Sequence, residues 1–325
     1  NYMNDLADEK GLPEDPKYIV PESFGEGTDW QDAIFRDARM QNYQLTISGG
    51  NEFTQYAIGG SYFKQDGIVL NSDFERATFR TSLDQKVSKR MNIGANVNLS
   101  HIVTRGVLTG AISPGTGVLL PGSITSALLF PPTQPVLDPN EEGGYTFEDE
   151  RNRNLPNPVA DAQESDNLTQ NSRVIASFYT DIEIIDDLVF KLNLGVDGFS
   201  VKDNRFVPNF LKRTEPNNGD AVIATVDGLT WLAEFILKYS KTFNNGHSID
   251  ALVGYTRQSF SSERLNAFSL DFTDNRIGYH NLAAGLNPQP PSSGENKWGM
   301  IGYLGRSNYN TNGTYLIRLN LRGNC

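Results

Sequence analysis

One cysteine occurs in 325 residues, and it is the last, Cys325. A disulfide framework and a cysteine-based metal site are therefore excluded. Histidine is nearly as scarce. His101, His247 and His280 stand far apart, and none falls in the spacing of a zinc-binding helix, so each reads as a loop or turn residue. No run of roughly 18 apolar residues exists, which excludes a transmembrane helix. Basic residues are outnumbered, 28 Lys and Arg against 39 Asp and Glu, for a net charge of −11. That balance argues against nucleic acid, whose phosphates need a basic face. Phosphate-cradling glycine loops and the G-x-S-x-G nucleophile elbow are also missing. Nothing reads as an active site or a cofactor site, and an enzyme is not expected. The opening Asn1–Asp5 is polar and acidic rather than a leader. In an exported chain this implies that the N-terminus was removed, with a signal alone or with a preceding domain.

What the sequence does contain is alternation. In Met91–Ser100, Met91, Ile93, Ala95, Val97 and Leu99 fall on one face, and Asn92, Gly94, Asn96, Asn98 and Ser100 on the other. Successive strand side chains point to opposite faces, so this strand has an apolar side and a wet side. The pattern recurs in 42–48, 54–65, 76–87, 173–184, 188–197, 231–241, 248–257, 301–309 and 315–322. Asn244-Asn245-Gly246 joins one pair and Asn310-Thr311-Asn312-Gly313 another, both hairpin signals. Residues 1–41, with Pro13, Pro16 and Pro21, read as an irregular segment with a short helix near Asp29–Arg36. Residues 42–325 form the strand-bearing part. The modest hydrophobic share of 38% suits strands that commit half their positions to polar residues.

Connector lengths alternate as well. Short ones at 49–53, 88–90, 186–187, 242–247 and 310–314 exchange with long ones at 66–74, 101–171, 202–228 and 259–297. Short periplasmic turns and long extracellular loops are the habit of outer-membrane β-barrels, whose strands alternate apolar-out and polar-in. The expected fold is thus all-β, an antiparallel transmembrane barrel segment of roughly ten strands. The inward set includes Arg76, Arg80, Asp84, Asn96, Asn98, Lys191, Glu234 and Arg318, mixed in sign, which either contact a plug or solute or merely solvate the barrel interior. Tyr43, Tyr56, Tyr62, Tyr239, Tyr255, Tyr303, Tyr309 and Tyr315 lie near expected strand ends. They form an interfacial girdle or follow ordinary strand propensity. The acidic groups Asp138…Glu141-Glu142 and Glu148-Asp149-Glu150 lack the spacing of a calcium loop and read as solvated loop.

Specific strings carry a resemblance. Thr28-Asp29-Trp30-Gln31-Asp32-Ala33-Ile34-Phe35-Arg36, Asn42–Asn51, Gln65-Asp66-Gly67-Ile68-Val69 and Asp84–Ser88 with Ile93–Asn96 resemble the SusC/RagA family of TonB-linked outer-membrane transporters. So do Pro131-Pro132-Thr133-Gln134-Pro135-Val136, Asn157-Pro158-Val159-Ala160 and Tyr303–Asn310, in the family's order along nearly the whole chain. The resemblance implies a Gram-negative outer-membrane importer of glycan fragments or peptides, energised through the TonB complex. It implies a SusD-like surface lipoprotein as lid, and a 22-stranded barrel around an N-terminal plug. Neither plug nor TonB-box is recognisable here, so the chain reads as an internal barrel section. The 101–171 loop, with Phe130, Tyr145 and Phe147, is the expected contact for lid or cargo; the alternative is that these rings only pin the loop to itself. Two other classes stay open: a self-contained small barrel acting as pore or enzyme, and a soluble β-sandwich that binds sugars.

Overall fold

The computed structural model describes residues 2–11, 25–107, 110–112, 119–147, 155–211, 217–244, 246–311 and 313–325. Pro13, Pro16, Pro21, Glu148-Asp149-Glu150, Asn245 and Asn312 lie outside the described residues. A short helix α1 (Tyr2–Glu9) precedes α2 (Trp30–Ile34). The strands are β1 (Met40–Gly50), β2 (Thr54–Asp66), β3 (Asp73–Ser88), β4 (Met91–Arg105), β5 (Gly110–Ile112), β6 (Leu119–Pro121), β7 (Asp166–Ile185), β8 (Leu188–Val207), β9 (Asp220–Thr242), β10 (His247–Leu270), β11 (Asn287–Pro288), β12 (Ser292–Thr311) and β13 (Tyr315–Asn324). Helices α3 (Ser123–Leu129) and α4 (Pro158–Glu164) lie between β6 and β7. One antiparallel sheet takes the path β1-β2-β3-β4-β7-β8-β9-β10-β12-β13, with β11 beside β10; β5 and β6 form a separate ribbon. All ten sequence-derived strands are present.

The turns explain the short connectors. Asn51 Oδ1 accepts from the backbone N–H groups of Phe53 and Thr54 at 2.8 and 2.9 Å, closing β1 onto β2. Asp187, with φ at 70°, occupies the left-handed position that a two-residue β7–β8 hairpin needs. Asn310 Oδ1 accepts from Gly313 N at 3.0 Å beyond β12.

The long connectors are shorter than the sequence indicated. Residues 202–207 and 220–228 belong to β8 and β9, and 259–270 and 292–297 to β10 and β12. β9 and β10 reach 23 and 24 residues, whereas a strand needs only about 9–11 to cross the hydrocarbon. Beyond that span no lipid obliges one face to be apolar, so the alternation fades while the backbone ladder continues. The connectors that remain are 67–72, 106–165, 208–219 and 271–291.

Register converts the strand pattern into two continuous faces. Leu45 pairs with Gly60, Gly60 with Phe79, Phe79 with Leu99, Leu99 with Val174 and Val174 with Gly198. Farther round, Leu192 pairs with Phe235, Phe235 with Tyr255 and Tyr255 with Tyr303. This outer face is apolar and open: Leu45 is 69% exposed, Val253 59% and Leu321 78%. A contiguous apolar surface of this extent marks a protein or membrane contact rather than a water-facing wall. All eight tyrosines named above share it by register. Tyr56, Tyr239, Tyr309 and Tyr315 sit within a few residues of the short turns, and Tyr43 opposes Tyr62 near the other end. Tyr255 and Tyr303 lie farther from either end than the sequence suggested, with ring centroids 5.5 Å apart. Arg257 is also on this face, its guanidinium 5.5 Å from the Trp231 ring centre, the posture of a cation held at a membrane interface.

Buried hydrophobic residues gather beyond the long-loop end of the sheet. Trp30, Ile34, Ala127, Phe130, Tyr145, Leu155, Val159, Ala160, Val207 and Leu211 form one core. A smaller one joins Phe206, Ala221 and Phe272. In α2, the N-cap Asp29 accepts from Gln31 N and Asp32 N at 3.0 Å each, while Trp30 and Ile34 face inward. The expected helix over Asp29–Arg36 is therefore real but ends at Ile34. Phe35 leaves it extended to bridge Val69.

Candidate functional site

The concave face opposite the apolar band carries the polar half of every strand. Arg76, Arg80, Asp84, Asn96, Asn98, Lys191, Glu234 and Arg318 all fall on it by register. Most of its charges cancel locally. Arg173 donates to both oxygens of Asp197 at 2.8 and 2.5 Å. Lys191 Nζ donates to Asp181 at 2.7 Å, and Asn193 Nδ2 to Glu234 at 2.7 Å. Lys238 and Arg306 both approach Asp250, at 3.5 and 3.3 Å. Arg318 Nε donates to the Asn308 side chain at 3.0 Å. Asp84 accepts a hydrogen bond from the Tyr179 hydroxyl. That ring lies over Gly94, where any Cβ would overlap it, so glycine is required by close approach.

Arg76 and Arg80 differ from the rest. With Asn96 and Asn98 they line one pocket of about 570 Å³ on the wall of β1–β4 and β7, together with Asn42, Gln44, Thr46, Ser61, Thr78, Ser82 and Ser177. Among the described residues neither arginine meets a carboxylate. Arg76 lies 5.7 Å from the Phe63 ring centre, and Arg80 has no hydrogen-bond partner. The structure thus brings together four of the eight inward candidates. It leaves Asp84, Lys191, Glu234 and Arg318 apart, each tied to a neighbour.

The loop aromatics are placed differently from the cargo-contact expectation. Phe130 is 3% exposed, its ring edge-on to Trp30 at 4.6 Å. Tyr145 is buried and its hydroxyl donates to Glu164 Oε1 at 2.9 Å, with Gln163 Oε1 3.1 Å away. Burial first, and the Glu164 hydrogen bond second, push its hydroxyl up to about 12. Phe147 is half-buried against the same core. Tyr145 ties the loop to itself and Phe130 ties it to α2, so these two rings present no stacking face.

Three separated strings meet in that core. Trp30 Nε1 donates to Pro131 O at 2.9 Å, and Thr28 N to Pro132 O at 2.8 Å. Asn157, fully buried, caps α4 by accepting from Val159 N and Ala160 N at 3.0 and 3.2 Å. Its Nδ2 donates to Val136 O and Thr146 O at 3.0 and 2.8 Å. The family-bearing strings at 28–36, 131–136 and 157–160 are therefore one structural unit.

A further feature of the concave face escaped sequence reasoning. Trp298 and Phe260 stack with centroids 5.8 Å apart and planes at 28°. Phe260 lies within the 259–297 stretch read as loop, and Trp298 falls just past it, before the expected strand at 301–309. Extending the alternation of 301–309 backward would have placed Trp298 inward. Among the described residues no cluster of His, Cys, Asp and Glu could hold a metal ion, and no helix is long and apolar enough to cross a membrane, which says nothing of a barrel.

A sheet with one lipid-type face and one polar face, joined by turns at one end and a packed loop cap at the other, defines a β-barrel membrane protein. Comparison with known proteins narrows the class. The chain is 33% identical over 297 residues to TonB-dependent receptor P3 of Formosa agariphila, covering 91% of this chain and 29% of that protein. It is 32% identical over 124 residues to TonB-dependent receptor SusC of Bacteroides thetaiotaomicron, 36% of this chain and 11% of that one. Among solved structures, the RagAB peptide importer in its open-open state superposes with a TM-score of 0.75 at 18% identity, over 99% of this chain and 38% of that one. No family model matches the sequence. The chain belongs with the SusC-like TonB-dependent receptors of the Gram-negative outer membrane, as a section of their barrel. It spans about a third of the length of the relatives it matches. Those relatives are receptors, not enzymes.

Proposed function

We propose that this barrel section belongs to an active importer that carries oligosaccharides or peptides across the outer membrane, energised through TonB and lidded by a SusD-like lipoprotein. The observation that carries the reading is the pair of register-aligned faces: the apolar one seats the sheet in lipid and leaves the polar one to line a lumen. The relatives' names support the dependence on TonB, and the RagAB importer supports peptide cargo; oligosaccharide cargo and the lipoprotein lid are what the SusC/RagA resemblance implies. In this reading the short turns are periplasmic and connectors 106–165, 208–219 and 271–291 are extracellular. The loop core around Trp30 and Asn157 then acts as a rigid platform beneath the lid, rather than as a set of cargo-stacking rings.

The test is uptake by the parent organism. Deleting the receptor gene should abolish growth on one class of oligosaccharide or peptide, and disrupting the TonB complex should have the same effect. Affinity purification of the receptor should also recover a surface lipoprotein. Passive uptake that persists without TonB would replace this reading with a pore.

A further inference from the structure

The cations of the concave face divide unevenly. Arg173, Lys191, Lys238 and Arg306 each meet a carboxylate from a neighbouring strand. Arg76 and Arg80 meet none among the described residues, nor do Arg264 and the edge-strand Arg318 and Arg322; of these, Arg76 and Arg80 share one pocket, and β3 is flanked on both sides by strands that are present. Neither flanking strand supplies their partner. It has to come from the lumen. Opposite Arg80 stands Gly59, with no side chain, and on the other side Asn98. The guanidinium therefore borders open space. Four residues apart on one strand, the two arginines have Cα atoms about 13 Å apart, and Thr78 lies between them on the same face.

From this geometry we propose that the Arg76–Arg80 wall is an anion-binding site for carboxylate or sulfate groups on imported cargo. Guanidinium forks match such groups in two-point hydrogen bonds. The surrounding amides and hydroxyls of Asn42, Gln44, Asn96 and Ser177 suit the hydroxyls or amides that accompany the charge on an acidic sugar or peptide. A pocket of about 570 Å³ holds one or two such units. An internal carboxylate of the receptor is the competing occupant. The open pocket lined by uncharged donors and acceptors favours cargo, because a structural ion pair needs only the charge.

This site presupposes that cargo crosses the lumen, as proposed above. The probe is trigalacturonate, with its full methyl ester as the neutral match, titrated calorimetrically into the intact receptor at low salt. The acid should bind, the ester should bind at least about tenfold more weakly, and Arg80→Gln should bring the acid to the ester's affinity, as expected when one charged hydrogen-bonding partner is lost. Arg80→Lys should recover part of the difference, and Arg76→Gln alone should lessen it. Equal affinity for acid and ester, no binding of either at millimolar concentration, or a difference that survives Arg80→Gln overturns the site. So does a substituted receptor whose melting temperature falls while acid binding is unchanged, since that is the mark of an internal partner. TonB-dependent uptake of neutral cargo is measured in parallel: if it persists while probe binding fails, only the anion site is lost; if it is absent throughout, the import reading fails.

Discussion

Replacing Asn157 by alanine probes the loop cap at its most connected side chain. The amide makes four hydrogen bonds at zero exposure: two accepted from the first turn of α4 and two donated to the carbonyls of Val136 and Thr146. Loss of the cap costs about 1 kcal/mol. Loss of two buried hydrogen bonds, each worth about 1 kcal/mol net, brings the total to about 3 kcal/mol. This cost falls on local opening of 131–165, not on the barrel, whose ladders do not involve Asn157. Amide hydrogen exchange on the intact receptor reads it directly: amides of α4 should exchange roughly a hundredfold faster, with strand amides of β4 and β7 unaffected. Asn157→Asp sharpens the test. Aspartate is an excellent helix cap in isolation, yet here its second oxygen would face two carbonyl oxygens in a fully buried site, so it should protect α4 no better than alanine. Unchanged protection in the alanine variant, or full protection in the aspartate variant, would refute the assigned network.

Three other outcomes follow from the faces and the cap. Leu99→Arg, Phe190→Arg and Leu192→Arg on the apolar face should impair membrane assembly by about 2–4 kcal/mol near the bilayer midplane, while Asn96→Arg and Asn193→Arg should be mild in a heat-modifiability assay, the latter because Glu234 can receive the new cation. Gly94→Ala should hinder assembly by displacing the Tyr179 ring, and adding Tyr179→Ala should restore folded yield; no rescue would mean that the contact is not the cause. Because the Tyr145 hydroxyl is raised to about 12 from an ordinary value of 10, its neutral form stabilises the loop fully below pH 10, and that contribution is lost as pH rises toward 12; protease sensitivity of 123–165 should therefore increase across that window, and Tyr145→Phe should remove the pH step.

Strand existence and facing were legible in the sequence because a period of two survives wherever one side meets lipid: Met91–Leu99 and Leu188–Val196 needed no structure to be read. The ends of β8, β9, β10 and β12 were not legible, since outside the hydrocarbon nothing forces alternation. Trp298 was hidden for that reason. The cap was readable only as strings. Trp30 and Pro131, 101 residues apart, give no local sign of meeting. The pairing state of the inward charges was equally hidden: that Arg173 reaches Asp197, and that Arg80 meets no carboxylate among the described residues, emerges only once the register is fixed.

The central claim, that alternate residues of these strands face lipid and lumen, is tested most directly by spin labels placed one at a time along β4 from Asn92 to Leu99, Gly94 excepted, in the receptor reconstituted in bilayers. Collision with lipid-dissolved oxygen should peak at positions 93, 95, 97 and 99, and collision with a water-soluble nickel chelate at 92, 96 and 98, in strict antiphase. Nickel access at both sets, or oxygen access without a two-residue period, would contradict a membrane-spanning barrel wall.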